Sequence, residues 1–188
     1  MKAPDVTENV RLATAVSALH AKYGSQSSVR ASVHTGHADV LAVLNEFQEC
    51  VRYLNTRRSK GAILQLTSEA DVQDALYLML RPWLRDLVAE NPTDRTGNRF
   101  VLKDLLIASI RTVVEAKFVR DKAHGKTISA ELHDDIEMYR KHPACSHLIF
   151  FIYDPDSLIP DQRALIEAIE VPRLYGGIPL YCHVIIKP

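Results

Sequence analysis

The chain lacks a charge imbalance: 23 Lys and Arg residues offset 23 Asp and Glu residues over 188 positions. A protein that grips duplex nucleic acid by itself, whatever the sequence, carries a strongly basic face. The balance therefore argues against tight autonomous binding of that kind and leaves room only for a local basic groove. Cysteine is scarce and odd in number, with Cys50, Cys145 and Cys182 scattered along the chain. This excludes a disulfide framework and a paired Cys/His zinc motif, and fits reduced thiols. No apolar run approaches the length of about 18 residues that a membrane span needs. The opening MKAPDVTENVRLAT has no apolar signal core, so a cytoplasmic protein with no membrane partner is expected. Phosphate loops, G-x-G-x-x-G, G-x-S-x-G, H-x-E and HExxH are all absent, which removes support for nucleotide hydrolysis, serine-hydrolase chemistry and zinc hydrolysis. Internal repeats and low-complexity segments are missing too.

What is present is 47% hydrophobic sequence, enough for one full core. Residues 8–22 read as a helix, 23–28 as a loop and 38–55 as a second helix, followed by a basic turn at 57–60. Residues 1–60 are taken as a helical extension suited to dimerisation or partner binding, and 61–188 as the catalytic domain. Ser68 is a good N-cap for a helix over 69–89, with acidic residues in its first turns. A loop at 91–98 precedes strands at 100–108 and 111–118, then a charged loop at 120–126. A helix over 128–142 is stopped by Pro143. A buried strand at 148–153 ends at Asp154-Pro155, and a helix at 162–170 and a strand at 180–186 complete the chain. This order implies an α/β layer structure with a mixed sheet flanked by helices.

The segment KDLLIASIRTVVEAKFVR holds the strongest chemical signal. Its apolar runs predict two buried strands joined by a tight turn near 109–111, with Asp104 on one and Glu115 and Lys117 on the other. Residues two apart on a strand share a face, so Glu115 and Lys117 project together and the hairpin brings Asp104 beside them. Burying an unpaired charge costs several kcal/mol, at about the level known for polar burial, so three such residues need a reason. Two carboxylates and a lysine converging suit a hard divalent cation with a cationic helper.

The text around these residues resembles the PD-(D/E)xK, restriction-endonuclease-like nucleases, in a short branch similar to the catalytic part of GATC-cleaving restriction enzymes. Upstream stands SEADVQDAL, from Ser68, and downstream ISAELHDDIEMYRKHPACSHLIFFIYDP, from Ile128. These match, at the same spacing, the branch's E-x-D-V-Q-D helix, its D-F-L-L and V-V-E-x-K strands, its Q-L-x-x-D-I-x-x-Y-x-x-H-P helix and its F-x-Y-D-P strand end. The likeness runs from about residue 65 to 188. It implies a restriction-endonuclease-like core and Mg²⁺-dependent phosphodiester hydrolysis, with Mn²⁺ able to substitute. Asp104 and Glu115 become metal ligands, the Ala116 carbonyl a third, and Glu69 an outer ligand. Lys117 orients the attacking water and stabilises charge on the phosphate, a role that suits a lysine kept charged by two carboxylates.

The chain departs from the branch in places. Leu105 replaces an aromatic, Glu131 stands where the branch often has Gln, and Leu102 replaces an Arg, leaving Arg99 or Lys103 to take its place. Phosphate contacts are expected from Arg99, Lys103 and Arg120, with Lys122, Lys126 and the 57–60 cluster as further rim charges. Gln73, Glu131 and Asp135 are assigned to support the site, the last two lying one turn apart on one helix face. Each has a plainer reading: an ordinary ion pair for Glu115 and Lys117, dipole placement for Glu69, solvent-facing positions for Gln73, Glu131 and Asp135, and scattered surface charge for the rim. Tyr139 reads as packing, and His133, His142 and His147 as surface or cap histidines. The expected activity is a DNA endonuclease of restriction or antiviral defence, DNA being preferred over RNA. Cutting two strands calls for a homodimer or larger assembly. The alternatives are a nuclease subunit silent without a partner protein or ligand, and a nuclease-fold scaffold without catalysis.

Overall fold

The computed structural model describes residues 36–56, 61, 64–89, 104–140, 145–175 and 177–188. The helix expected at 8–22, the loops at 23–28 and 91–98, the basic turn at 57–60, the strand residues 100–103 and Pro143 lie outside them. The chain divides into two units, Met1–His34 and Thr35–Pro188, and the second contains every described residue.

Three central strands dictate the architecture. β3 (Thr112–Phe118), β4 (His147–Tyr153) and β6 (Ile178–Lys187) pair in parallel in the order β3-β4-β6. β3 and β4 are buried almost throughout, as strands covered on both faces must be. β2 (Leu105–Ile107) and β1 (Leu87–Ala89) extend one edge antiparallel, and β5 (Arg173–Tyr175) extends the other. The result is a mixed six-stranded sheet, β1-β2-β3-β4-β6-β5.

Helices cover both faces. α1 (His37–Asn45), α2 (Phe47–Thr56) and α3 (Glu69–Leu80) place Leu44, Phe47, Leu76 and Leu80 against Val114, Ile149 and Phe151. α4 (Lys122–Tyr139) and α5 (Gln162–Ile169) place Ile128, Leu132 and Ile169 against Val113, Leu148 and Phe150. Each large side chain so buried contributes about 1.5–3 kcal/mol. α4 links β3 to β4 and α5 leads from β4 towards β6. Both crossovers step the same way along the sheet, so a common right hand puts both helices on one face. None of the helices among the described residues is long and apolar enough to cross a membrane.

Several boundaries differ from the sequence expectation. Residues 37–56 form two helices, not one, and share a buried cluster with the sheet. The helix from Glu69 stops at Leu80 because Pro82 follows, lacking an N–H and disfavouring helical geometry before it. Leu84 and Leu87 are buried by a turn and by β1 instead. β5, absent from the expected elements, pairs with the start of β6 across a hairpin in which Gly177 adopts φ +84°.

The charged loop expected at 120–126 is mostly helix. Asp121 caps α4, its carboxylate accepting from the His124 N–H at 2.8 Å. Gly125 lies inside the helix because the Leu158 backbone crosses there: a Cβ at this position would sit 2.4 Å from the Leu158 carbonyl oxygen. That crossing is held by Asp154, fully buried, whose carboxylate oxygens accept from the N–H groups of Leu158 and Ile159 at 2.8 and 3.0 Å. Alanine exceeds glycine in helix propensity by about 1 kcal/mol. Gly125→Ala should nevertheless destabilise the protein by about 1–3 kcal/mol, because backbone has to move. Urea unfolding should show a lower midpoint at unchanged slope.

Candidate active site

The site forms where β2 begins and β3 nears its end. Antiparallel pairing sets Leu105 opposite Val114, which puts Asp104 level with Glu115. The Ala116 N–H donates to Asp104 Oδ2. On a strand the N–H and C=O of one residue point the same way, so the Ala116 carbonyl also faces the Asp104 edge. Glu115 and Lys117 share the sheet face that α4 covers, and Lys117 Nζ donates to Glu115 Oε1 at 2.9 Å.

α4 completes the arrangement. Asp135 pairs with Lys117 Nζ at 2.8 Å, and one turn later the Tyr139 hydroxyl donates to Glu115 Oε2 at 2.6 Å. All five side chains are buried: Asp104 is 4% exposed, Glu115 1%, Lys117 7%, Asp135 9% and Tyr139 2%. An ammonium has three donors, and Glu115 and Asp135 engage two of them.

Burial and the neighbouring Glu115 charge push the Asp104 carboxyl up to about 8, against which the Ala116 N–H works only in part. Burial alone would lower the Lys117 pKa, but the attraction of Glu115 and Asp135 outweighs it and raises the value, so this lysine stays protonated. Glu69, on the first turn of α3, is solvent-exposed, yet protein crowds its carboxyl enough for desolvation to raise its pKa. Lys117 opposes that rise, while Glu115, Asp135 and Glu131 add to it. Its charge therefore belongs to the same field as the buried cluster.

The structure thus gathers Asp104, Glu115, Lys117 and the Ala116 carbonyl, with Glu69 at the rim. Asp135 is not a solvent-facing acid but the ion-pair partner of Lys117. Glu131 goes elsewhere, meeting His124 Nε2 at 3.2 Å while its side chain stays 44% exposed. The Arg120 N–H donates to His124 Nδ1 at 3.3 Å, which leaves the His124 proton on Nε2 for Glu131. Gln73 is half-buried on α3, one turn beyond Glu69, and Arg120 is exposed just past β3. Arg99 and Lys103 lie outside the described residues.

The residue that sequence reasoning misjudged is Tyr139, read as packing. Its spacing from Asp135 put it on the right face, and a buried tyrosine hydroxyl needs a polar partner. That need was the available signal.

The family model described as REase_DpnII-MboI matches residues 39–177, well over half of the chain. No curated protein and no solved structure matches it. The match spans α1 to the β5–β6 hairpin and so includes the whole buried cluster. This chain belongs to the DpnII-MboI restriction endonuclease family.

Proposed function

We propose that the protein is a Mg²⁺-dependent endonuclease that hydrolyses phosphodiester bonds in duplex DNA, with Mn²⁺ able to substitute, and that it serves restriction or anti-phage defence in the cytoplasm. The observation that carries this reading is the convergence of Asp104, Glu115 and Lys117 at one strand end. Family membership supports DNA as the substrate.

The donor set fits a hard cation. Asp104, Glu115 and Asp135 face the single ammonium of Lys117, so the cluster is short of positive charge, and the ligand atoms on offer are all oxygen. Asp104, Glu115 and the Ala116 carbonyl would hold the ion, with Glu69 on its outer side. The chemistry such an ion supplies when bound is polarisation of the phosphate, activation of a water and stabilisation of the leaving oxygen.

The chain's own groups supply the rest. Lys117 acts as a fixed positive charge and not as a base, because its ion pairs hold the proton on it. With two N–H bonds given to Glu115 and Asp135, the third is left for the attacking water or the phosphate. Asp135 keeps Nζ in place, and Tyr139 fixes the rotamer of Glu115 through the bond to Oε2. Arg120, exposed just past β3, is proposed for a flanking phosphate, with Lys103 and Arg99 for the same task. Cleavage of both strands requires two copies, so we place a homodimer or partner contact on the N-terminal segment.

A plasmid carrying GATC sites, incubated with Mg²⁺, should be cut. Lys117→Ala should slow cutting by about 10²–10³-fold, the effect of losing one preorganised electrostatic donor. A wild-type chain that leaves plasmid, linear and single-stranded DNA intact with Mg²⁺ or Mn²⁺, and is indistinguishable from Lys117→Ala, would refute the assignment. Tyr139→Phe should lower metal affinity or rate by about 10- to 100-fold with little change in fold.

Asp104 also links function to stability. Its folded pKa of about 8 lies above the unfolded value of about 3.9, so the folded state holds an extra proton between them. This contribution to stability is complete below about pH 4 and is lost as pH rises through about 8. Asp104→Asn should therefore melt with the parent near pH 4 and become the more stable of the two near pH 9. Thermal scans across that range measure the difference. Mg²⁺ binding near pH 7 should release about one proton, seen as a buffer-dependent binding enthalpy in calorimetry.

A further inference from the structure

Three histidines meet at the other end of the central strands. His37 opens α1, His147 opens β4, and His183 lies within β6. The register sets His147 beside Tyr181 and Ile149 beside His183, so both histidines project from the sheet face that α1 covers. The ring centroids of His37 and His147 are 3.8 Å apart, and His183 lies 5.7 Å from the first and 5.9 Å from the second. One ring nitrogen from each residue falls within 4.8 Å of the other two. His147 was expected to be a surface or cap residue; the structure instead puts it at the centre of this cluster.

Two features separate the cluster from ordinary aromatic packing. His147 Nδ1 and His183 Nε2 are buried with no hydrogen-bond partner among the described residues, a condition native interiors seldom leave unexplained. Burial lowers the pKa of both rings, that of His147 to about 4, so at neutral pH each offers a lone pair in place of a second proton.

We propose that His37, His147 and His183 bind one late first-row divalent cation, Zn²⁺ foremost, at a site distinct from the acidic cluster. Three imidazoles suit Zn²⁺, Cu²⁺ or Ni²⁺, whereas Mg²⁺ prefers oxygen. Strand alternation puts His147 and His183 on the sheet face opposite to Glu115 and Lys117, and the pairing of Thr112 with His147 and of Glu115 with Phe150 sets His147 about 10 Å along the strands from Glu115. Bonds of 2.0–2.1 Å to a tetrahedral ion bring ligand nitrogens to about 3.3 Å, so the three rings close in on the ion. The stacked pair opens by rotation of His37, which sits half-buried on the first turn of its helix. Tyr181, 5.1 Å from His147 ring to ring, backs the fixed member. The fourth position falls to water, and the ion ties the start of α1 to β4 and β6.

The test uses the full chain carrying Glu115→Gln, which removes the acidic site, stripped with chelator and titrated with Co²⁺. One equivalent should give the intense visible bands of a four-coordinate ion, and Zn²⁺ should displace them. At a hundredfold excess over its Kd, Zn²⁺ should raise the Tm by about 5–10 °C. His183→Gln and His37→Gln should each weaken binding by more than about a hundredfold, beyond the loss typical of an outer-shell partner. His37→Gln, at an accessible helix start, guards against misfolding: its metal-free Tm should match the parent. Failure to see four-coordinate bands, or bands that both histidine variants retain, would overturn the site. Because the acidic cluster is disabled throughout, this result stands apart from the nuclease assignment.

Discussion

A pair of charges on a strand that is buried on both faces constrains everything around it. β3 carries Glu115 and Lys117 at positions where a sheet of this kind takes valine or isoleucine. Removing either partner alone would strand the other charge in a medium that solvates it poorly, and even an intact buried pair seldom adds net stability. The pair persists because neighbours on two other elements complete it. The start of β2 brings Asp104, and α4 brings Asp135 and Tyr139. Burial and the neighbouring Glu115 charge raise the pKa of Asp104. Such an arrangement is a poor way to hold a protein together and a good way to prepare a site.

Delivery of α4 to that point is a matter of topology. The crossover from β3 to β4 lays the helix over the face on which Glu115 and Lys117 project. Its capping by Asp121, the absence of a side chain at Gly125 and the Asp154 clasp on the crossing backbone together set its depth. From there the one-turn spacing of Asp135 and Tyr139 matches the two-residue spacing of Lys117 and Glu115, so each partner meets its own target. A mis-seated helix would lose both bonds together.

The ends of the parallel strands differ in chemistry. Near the end of β3 the groups are oxygen-rich and partly neutralised by a lysine, whereas at the start of β4 they are imidazoles. The separation follows from strand alternation, which turns Glu115 and Lys117 to the face that α4 covers and His147 and His183 to the face that α1 covers.

Much of the buried charged arrangement was legible in the linear text. Alternation along β3 put Glu115 and Lys117 on one face, the apolar run with its tight turn implied the hairpin to Asp104, and the flanking motifs pointed to the nuclease family. Local rules failed where a distant contact overrode them. Gly125 looked like a loop residue, yet it is glycine because Leu158 passes over it. Glu131 and Asp135 looked equivalent, yet one meets His124 and the other Lys117. Tyr139 looked like packing because its hydroxyl partner lies on another element. The sequence by itself determined the buried strands, the hairpin and the identity of the charged residues on it, since these follow from short-range periodicity. Only the tertiary structure decided which helix residues complete those charges, and that His37, His147 and His183 meet at all. Such contacts depend on crossover geometry and strand register, which no spacing along the chain encodes.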